Sequence, residues 1–434
     1  MEPYQMKHLA PDYVYTSEGL LPNKIVTVSD EGYILSVRER DAGLTITDPL
    51  PHTALLPGFV NTHSHVFQRA LRGHTHHALS PHDTFWTWRR AMYAEAQRLN
   101  PDLLYQCALQ TYREMLAAGY TSVGEFHYVH HQPNGEPYDN ANAMSDAIIH
   151  AGNDAGIRVV LLLAAYAQGN FARQPEAEQR RFCDASIDAY LSRVEALRIT
   201  GRPLGLAPHS VRAVSEQWFR AVGEYSRKYG LPIHVHADEQ MVEIEQCLAT
   251  QGCRPIELLE QFGFLGPQTT VIHATHANAR ELALLAQYHC TVCVCPTTEG
   301  DLGDGIAPYA ELLQAGIPLT IGTDSNTRLD PFEELRWAEY SARMRYQRRR
   351  ILISDQLASP GPLLLTYGTQ CGANALGLQT GSITPDMPAD FVAIDLHAPS
   401  LANWNSVDFL DVLFFGVSSQ VITQTWVQGK KVWS

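Results

Sequence analysis

The chain has 434 residues, 45% hydrophobic and 18% charged, a globular composition long enough for one large α/β domain with a small appendage. A formal net charge of −14 without any long basic run argues against nucleic acid and anionic membrane as partners. The first residues lack a charged segment followed by an apolar one, no apolar run is long enough to span a bilayer, and eight cysteines are scattered without framework spacing, so a cytoplasmic protein is expected.

In chain order, residues 1–55 show short alternating strands with turn signals, such as Lys24-Ile25-Val26-Thr27-Val28 before Asp30-Glu31-Gly32. From 56 onward, short apolar runs alternate with longer amphipathic ones. Strands are predicted at 56–63, 121–128, 158–165, 204–209, 232–236, 270–273, 291–295 and 319–323. Helices are predicted between them, at 102–118, 141–155, 216–228, 242–262 and 279–288, most closed by Gly or Pro. Such a series specifies an α/β fold, a (β/α)8 TIM barrel over 56–380, with function expected at the C-terminal strand ends. Arg348-Arg349-Arg350 reads as the solvated end of a helix. After 381 the alternation returns, at 389–394 and 421–427. The two ends, 1–55 and 381–434, are expected to pair into one small β-sandwich-like domain beside the barrel.

The predicted strand ends carry metal-binding side chains. His63 and His65, two apart, share one face of the first strand and form half a site. The fifth strand ends in His234 and His236. His236 lies nearer the mouth and is the better ligand, whereas His234 suits a core position one layer down. Asp324 follows the eighth strand. Three imidazoles and a carboxylate suit zinc, and leave a position for a water whose pKa falls towards ~7. Asp324 can also take that water's proton, Glu239 can carry it to a leaving nitrogen, and His273, ending the sixth strand, can orient water or substrate.

A second polar set reads as substrate recognition: Gln68 after the first strand, Tyr128 ending the second, His209 and Arg212 ending the fourth, and Arg89 between them in the chain. Arg forks bind carboxylates bidentately, so Arg89 and Arg212 suggest an anionic small molecule. Trp86 and Trp88 suit packing, and the clusters His74, His76, His77 and His127, His130, His131 have loop spacing that fixes no chelate. Cys290 and Cys293 match C-x-x-C, but on an extended strand they face opposite ways and read as buried apolar residues. The segment 300–305 (GDLGDG) lacks a P-loop lysine and is expected as a flexible loop over the site.

With "PGFVNTHSH", "HVHADE", "VIHATH" and "GTDS" in place, the sequence resembles the amidohydrolase superfamily along nearly its whole length. Within it, "HVFQRALRG", "DTFWTWR", "GEFHYVHHQPNGEPY" and "CPTTEGDLGDG" are similar to the formimidoylglutamate deiminases of bacterial histidine degradation. The fourth strand ends in His209, not in the lysine of binuclear relatives, so the resemblance implies one metal ion per subunit. It further implies hydrolysis of N-formimidoyl-L-glutamate to N-formyl-L-glutamate and ammonia by a homodimer. Its ligands would be His63, His65, His236 and Asp324; Glu239, His273 and Asp324 would be catalytic, and Gln68, Arg89, Tyr128, His209 and Arg212 would hold the dicarboxylate. The alternatives are a superfamily deaminase of a purine, pyrimidine or nucleoside, and a non-catalytic barrel scaffold. The scaffold predicts lost ligands, which this sequence retains.

Overall fold

The computed structural model describes residues 6–41, 43–76, 85–353 and 357–434, leaving out the side chains of Phe85 and Trp86. The chain begins with β1 (Lys7–Thr16), β2 (Gly19–Pro22), β3 (Lys24–Val28), β4 (Ile34–Glu39) and β5 (Asp48–Pro57). The barrel strands follow: β6 (Phe59–Ser64), β7 (Tyr120–His127), β8 (Arg158–Ala165), β9 (Leu204–Pro208), β10 (Ile233–Ala237), β11 (Thr269–His273), β12 (Thr291–Val294) and β13 (Leu319–Ile321). The chain closes with β14 (Phe391–Asp395), β15 (Ile422–Val427) and β16 (Lys430–Trp433).

β6 to β13 pair in sequence order and in parallel, and Ser64 bridges Asp324 to close the ring into a barrel. Every residue of β6, β7, β9, β10 and β11 is buried, as expected of strands covered on both faces. The closing seam also fixes the site: His65 N–H donates to the Asp324 carbonyl at 2.8 Å and Thr323 N–H to that of His63 at 3.0 Å. The ends of the first and last barrel strands, which carry His63, His65 and Asp324, are thereby held together by main chain.

The other sheet interleaves both chain ends, in the order β16-β15-β14-β5-β1-β3-β4 with β2 on β1. β5 lies parallel to β1 and antiparallel to β14, and Leu9, Val26, Leu55, Phe391 and Trp426 share a small core. The C-terminal segment also supplies the helix Phe409–Gly416, whose Phe414 ring stands 5.7 Å from Phe332 on the helix Pro331–Tyr346. Among the described residues no helix is long and apolar enough to cross a membrane.

Two predicted elements divide. The run 56–63 belongs to two sheets: Leu56 and Pro57 end β5, and β6 starts at Phe59. Between them Gly58 passes so close to Thr121 that an added Cβ would stand 2.3 Å from its methyl group. The helix expected over 242–262 is Met241–Gln251 followed by Pro255–Gln261. Gly252 caps the first at φ 76°, and Pro255, having no N–H, opens the second. Arg348, Arg349 and Arg350 are exposed beyond the helix Pro331–Tyr346. Cys290, Cys293 and Cys295 are buried thiols.

Candidate metal centre and active site

His63 lies within β6 and His65 one residue past its end, His236 lies within β10, and Asp324 follows β13 by three residues. All four are buried, and one donor atom from each falls within 4.8 Å of the others. His63 Nε2 is 3.1 Å from Asp324 Oδ1 and 3.2 Å from His236 Nε2, while His65 Nε2 is 3.4 Å from Asp324 Oδ1. Main-chain oxygens set the tautomers. His65 Nδ1 lies 2.7 Å from the Phe126 carbonyl and His236 Nδ1 3.0 Å from that of His209. Each Nδ1 can only donate there, which turns the Nε2 lone pair inward.

Electrostatics favours the same state. Burial lowers the His63 pKa to about 3, and drives those of His65 and His236 below the ordinary imidazole value. Burial alone would raise Asp324, but the His63 hydrogen bond and the adjacent imidazoles hold it below the usual carboxylate range. Neutral imidazole nitrogens and one ionised carboxylate thus converge, a donor set that fits a divalent transition-metal ion.

Beside this cluster, His273 ends β11 with a left-handed backbone (φ 73°), as Asp324 does (φ 47°). His273 Nε2 lies 3.7 Å from Glu239 Oε1, and its Nδ1 3.2 Å from Glu299 Oε1. Burial raises the Glu239 pKa; His273 opposes that and the Asp324 charge adds to it. Burial would lower His273, but Glu239, Glu299 and Asp324 carry it well above its ordinary value. The pair therefore retains protons that solvent-exposed groups would lose.

Gln68, Arg89, Tyr128, His209 and Arg212 line one cavity with His65, His236, Glu239, His273 and Asp324, and fully buried His63 lies beneath it. Gln68 Nε2 donates to the Tyr128 hydroxyl at 2.8 Å. Arg212 Nε donates to Glu243 Oε1 at 3.1 Å; burial would lower its pKa, but Glu243 and Glu239 hold it above the ordinary value. Arg89 Nε donates to the Tyr93 hydroxyl at 2.5 Å. Burial and the Arg212 charge keep His209 neutral.

Four contributors escaped the sequence reading: Glu299 on His273, Glu243 on Arg212, and Tyr93 and Tyr166 in the cavity wall. One left a usable signal, since Tyr93 is four residues beyond Arg89 on one helix. The segment 300–305 is not a free loop. Residues 300–302 end the helix Pro296–Leu302, Leu302 lines the cavity, and Asp304 is buried with its pKa pushed up to about 9 by burial and the Glu239 charge. His234 is a core residue at 3.0 Å from the Ala375 carbonyl. His130 and His131 are buried against Arg193 and Asp184, Trp88 lines the cavity, and His76 pairs with Asp301 at 2.8 Å. His77 and the Trp86 side chain lie outside the described residues.

Residues 54–432 match the amidohydrolase family model. The chain is 38% identical to the formimidoylglutamate deiminase of Pseudomonas aeruginosa over 420 residues, covering 96% of this chain and 92% of that one. It is 29% identical to the 5'-deoxyadenosine deaminase of Methanothermobacter thermautotrophicus, covering 88% and 82%. The crystal structure of an amidohydrolase from Brucella melitensis superposes with a TM-score of 0.90 at 32% identity, over 98% of this chain and 94% of that one.

Proposed function

Since the chain belongs to the amidohydrolase family, we propose that it is a metal-dependent deiminase that hydrolyses N-formimidoyl-L-glutamate to N-formyl-L-glutamate and ammonia. The observation that carries this substrate is the presence of two arginines, Arg89 and Arg212, in the same cavity as the four-donor cluster. A dicarboxylate needs two such cations, whereas a purine or nucleoside needs stacking faces and amide contacts. The similarity to a 5'-deoxyadenosine deaminase keeps the nucleoside reaction as the second reading.

His63, His65, His236 and Asp324 would hold the ion, taken as one zinc per subunit. Bound there, the ion supplies Lewis acidity that lets water act as a nucleophile near neutral pH. The residues do the rest. Arg212 and Arg89 grip the carboxylates, with Gln68, Tyr128 and His209 along the chain between them. Water adds to the formimidoyl carbon as Asp324 takes its proton, and His273, steadied by Glu299, orients the reacting groups. Glu239, with its raised pKa, delivers a proton to the terminal nitrogen. The carbon–nitrogen bond then breaks, ammonia departs and the formyl oxygen comes from water.

The same reading takes residues 1–55 with 381–434 as one domain beside a barrel domain at 56–380. It also takes the enzyme as a cytoplasmic homodimer, a location in keeping with eight free thiols. The test is ammonia release by the zinc-loaded protein from formimidoylglutamate beside adenosine, 5'-deoxyadenosine, guanine and cytosine. Turnover of formimidoylglutamate at least ~10²-fold above the others supports the proposal. Preference for a nucleoside replaces it with the second reading, and no turnover with any compound rejects both.

A further inference from the structure

Tyr166 stands one residue past β8, is 4% exposed, and lines the cavity with Arg212 and His209, its ring 4.9 Å from that of His209. Its hydroxyl lies 2.9 Å from Nε2 of Gln179, which belongs to the short 3-10 helix Ala177–Phe182. The same Nε2 lies 3.1 Å from the Tyr93 hydroxyl.

The orientation of that amide is determined. Gln179 Oε1 accepts the Glu176 N–H at 2.9 Å, and Nε2 faces the Gly169 carbonyl at 3.2 Å. Turned round, it would set oxygen against carbonyl oxygen and leave a main-chain donor unmet. Gln179 Nε2 therefore has two protons for three acceptors, and the phenol oxygens, at 2.9 and 3.1 Å, are the nearer pair, with the Gly169 carbonyl the longer third contact at 3.2 Å.

The Tyr93 oxygen accepts from Gln179 and, at 2.5 Å, from Arg89 Nε, which uses both of its lone pairs. Burial and the nearby Tyr166 phenol hold the Tyr93 pKa above its ordinary value. The Tyr166 oxygen accepts from Gln179, and because the Tyr93 oxygen already receives two donors, the Tyr166 O–H has no free acceptor within hydrogen-bond distance among the described residues. A buried hydroxyl left that way is unfavourable. Main-chain hydrogen bonds from the Ala167 N–H to the Ala213 carbonyl at 2.9 Å and from the His209 N–H to the Ala165 carbonyl at 3.1 Å set Tyr166 beside the segment that bears Arg212, and with Nε on Glu243, neither terminal nitrogen of Arg212 has a hydrogen-bond partner among the described residues. The Tyr166 hydroxyl and the terminal nitrogens of Arg212 are thus donors on residues that line the same cavity.

Resting on the dicarboxylate reading above, we propose that Tyr166 donates its hydroxyl proton to the substrate carboxylate held by Arg212. It is a specificity-determining residue, and Gln179 is the residue that positions it. A nucleoside presents no anion at that point.

The experiment uses zinc-loaded wild type, Tyr166→Phe and Gln179→Leu on three substrates. These are N-formimidoyl-L-glutamate and its two analogues lacking the α- or the side-chain carboxylate. Tyr166→Phe should raise KM for formimidoylglutamate ~10- to 30-fold with kcat within about threefold, the scale of one lost hydrogen bond to a charged group. Gln179→Leu should give a smaller rise. The Tyr166→Phe effect should persist with one analogue and vanish with the other, the one lacking the carboxylate that Tyr166 holds. A merely structural role would impair all three substrates alike, and that result overturns the proposal. So does an unchanged KM for formimidoylglutamate. If wild type itself releases no ammonia from formimidoylglutamate, the underlying function has failed and this inference falls with it.

Discussion

Arg212→Met is the substitution whose consequences the structure specifies most fully. Arg212 is 9% exposed, its Nε is committed to Glu243, and its terminal nitrogens remain for an anion. Removing a charged, two-donor grip from so dry a site costs ~2–5 kcal/mol of transition-state binding. At 1.36 kcal/mol per tenfold, kcat/KM should fall about 30- to several-thousand-fold. The substitution also strands Glu243, which is 2% exposed and, among the described residues, keeps only a 3.3 Å hydrogen bond from the Glu239 N–H. An uncompensated buried charge destabilises by ~3–5 kcal/mol, so the variant should also melt earlier. Adding Glu243→Gln removes the stranded charge. The double variant should regain much of the lost Tm and none of the lost activity. Metal content should match wild type in both, because Arg212 is not among the four donors. Ammonia release, metal analysis and thermal unfolding read these three quantities separately. Wild-type kcat/KM on formimidoylglutamate in Arg212→Met, or recovery of activity in the double variant, would refute the assignment of this guanidinium to the substrate.

His65→Ala or His236→Ala should lose both bound metal and turnover, since three donors leave an open and poorly organised site; metal analysis with full occupancy and wild-type rate would sink the ligand set. Glu239→Gln should retain the metal and lower kcat by ~10²-fold or more, and a variant that lost metal instead would make Glu239 a ligand. Stability should carry the signature of Glu125, which is buried against Ser64 and the Val66 N–H, with its pKa raised by burial from 4.5 to about 8. Between those values the folded protein holds a proton that the unfolded chain has released, so the contribution is full below 4.5 and lost as pH rises through about 8. Measured by denaturant unfolding, the stability of wild type relative to Glu125→Gln should decline over that window, whereas a flat difference would show an ionised Glu125.

The barrel strands were legible because burial on both faces writes each as an apolar run, and the polar residue ending each run marks the rim. Parity alone placed His63 and His65 on one face. The same uniformity hid the break at Pro57 and Gly58: β5 and β6 are both buried there, so nothing in hydrophobicity marks where one sheet hands over to the other. Supporting groups were harder to see because they act through tertiary contact. Glu299 reaches back 26 residues to His273, and Gln179 13 to Tyr166, separations that no helix or strand period encodes. Asp304 misled by composition. Its glycine-rich surroundings suggest a mobile loop, yet its carboxylate is buried close enough to Glu239 and His273 to feel both charges.

Formimidoylglutamate contains one carbon between two nitrogens, and the two ways of cleaving it give different products. Proton NMR of a reaction of the zinc-loaded enzyme with N-formimidoyl-L-glutamate distinguishes them in a single spectrum. With Glu239 protonating the terminal nitrogen and the carboxylates anchored at Arg212 and Arg89, the product should be N-formyl-L-glutamate, with one equivalent of ammonia. Glutamate and formamide would mean that the proton reaches the other nitrogen, and an unchanged substrate spectrum would mean that this cavity serves a different molecule.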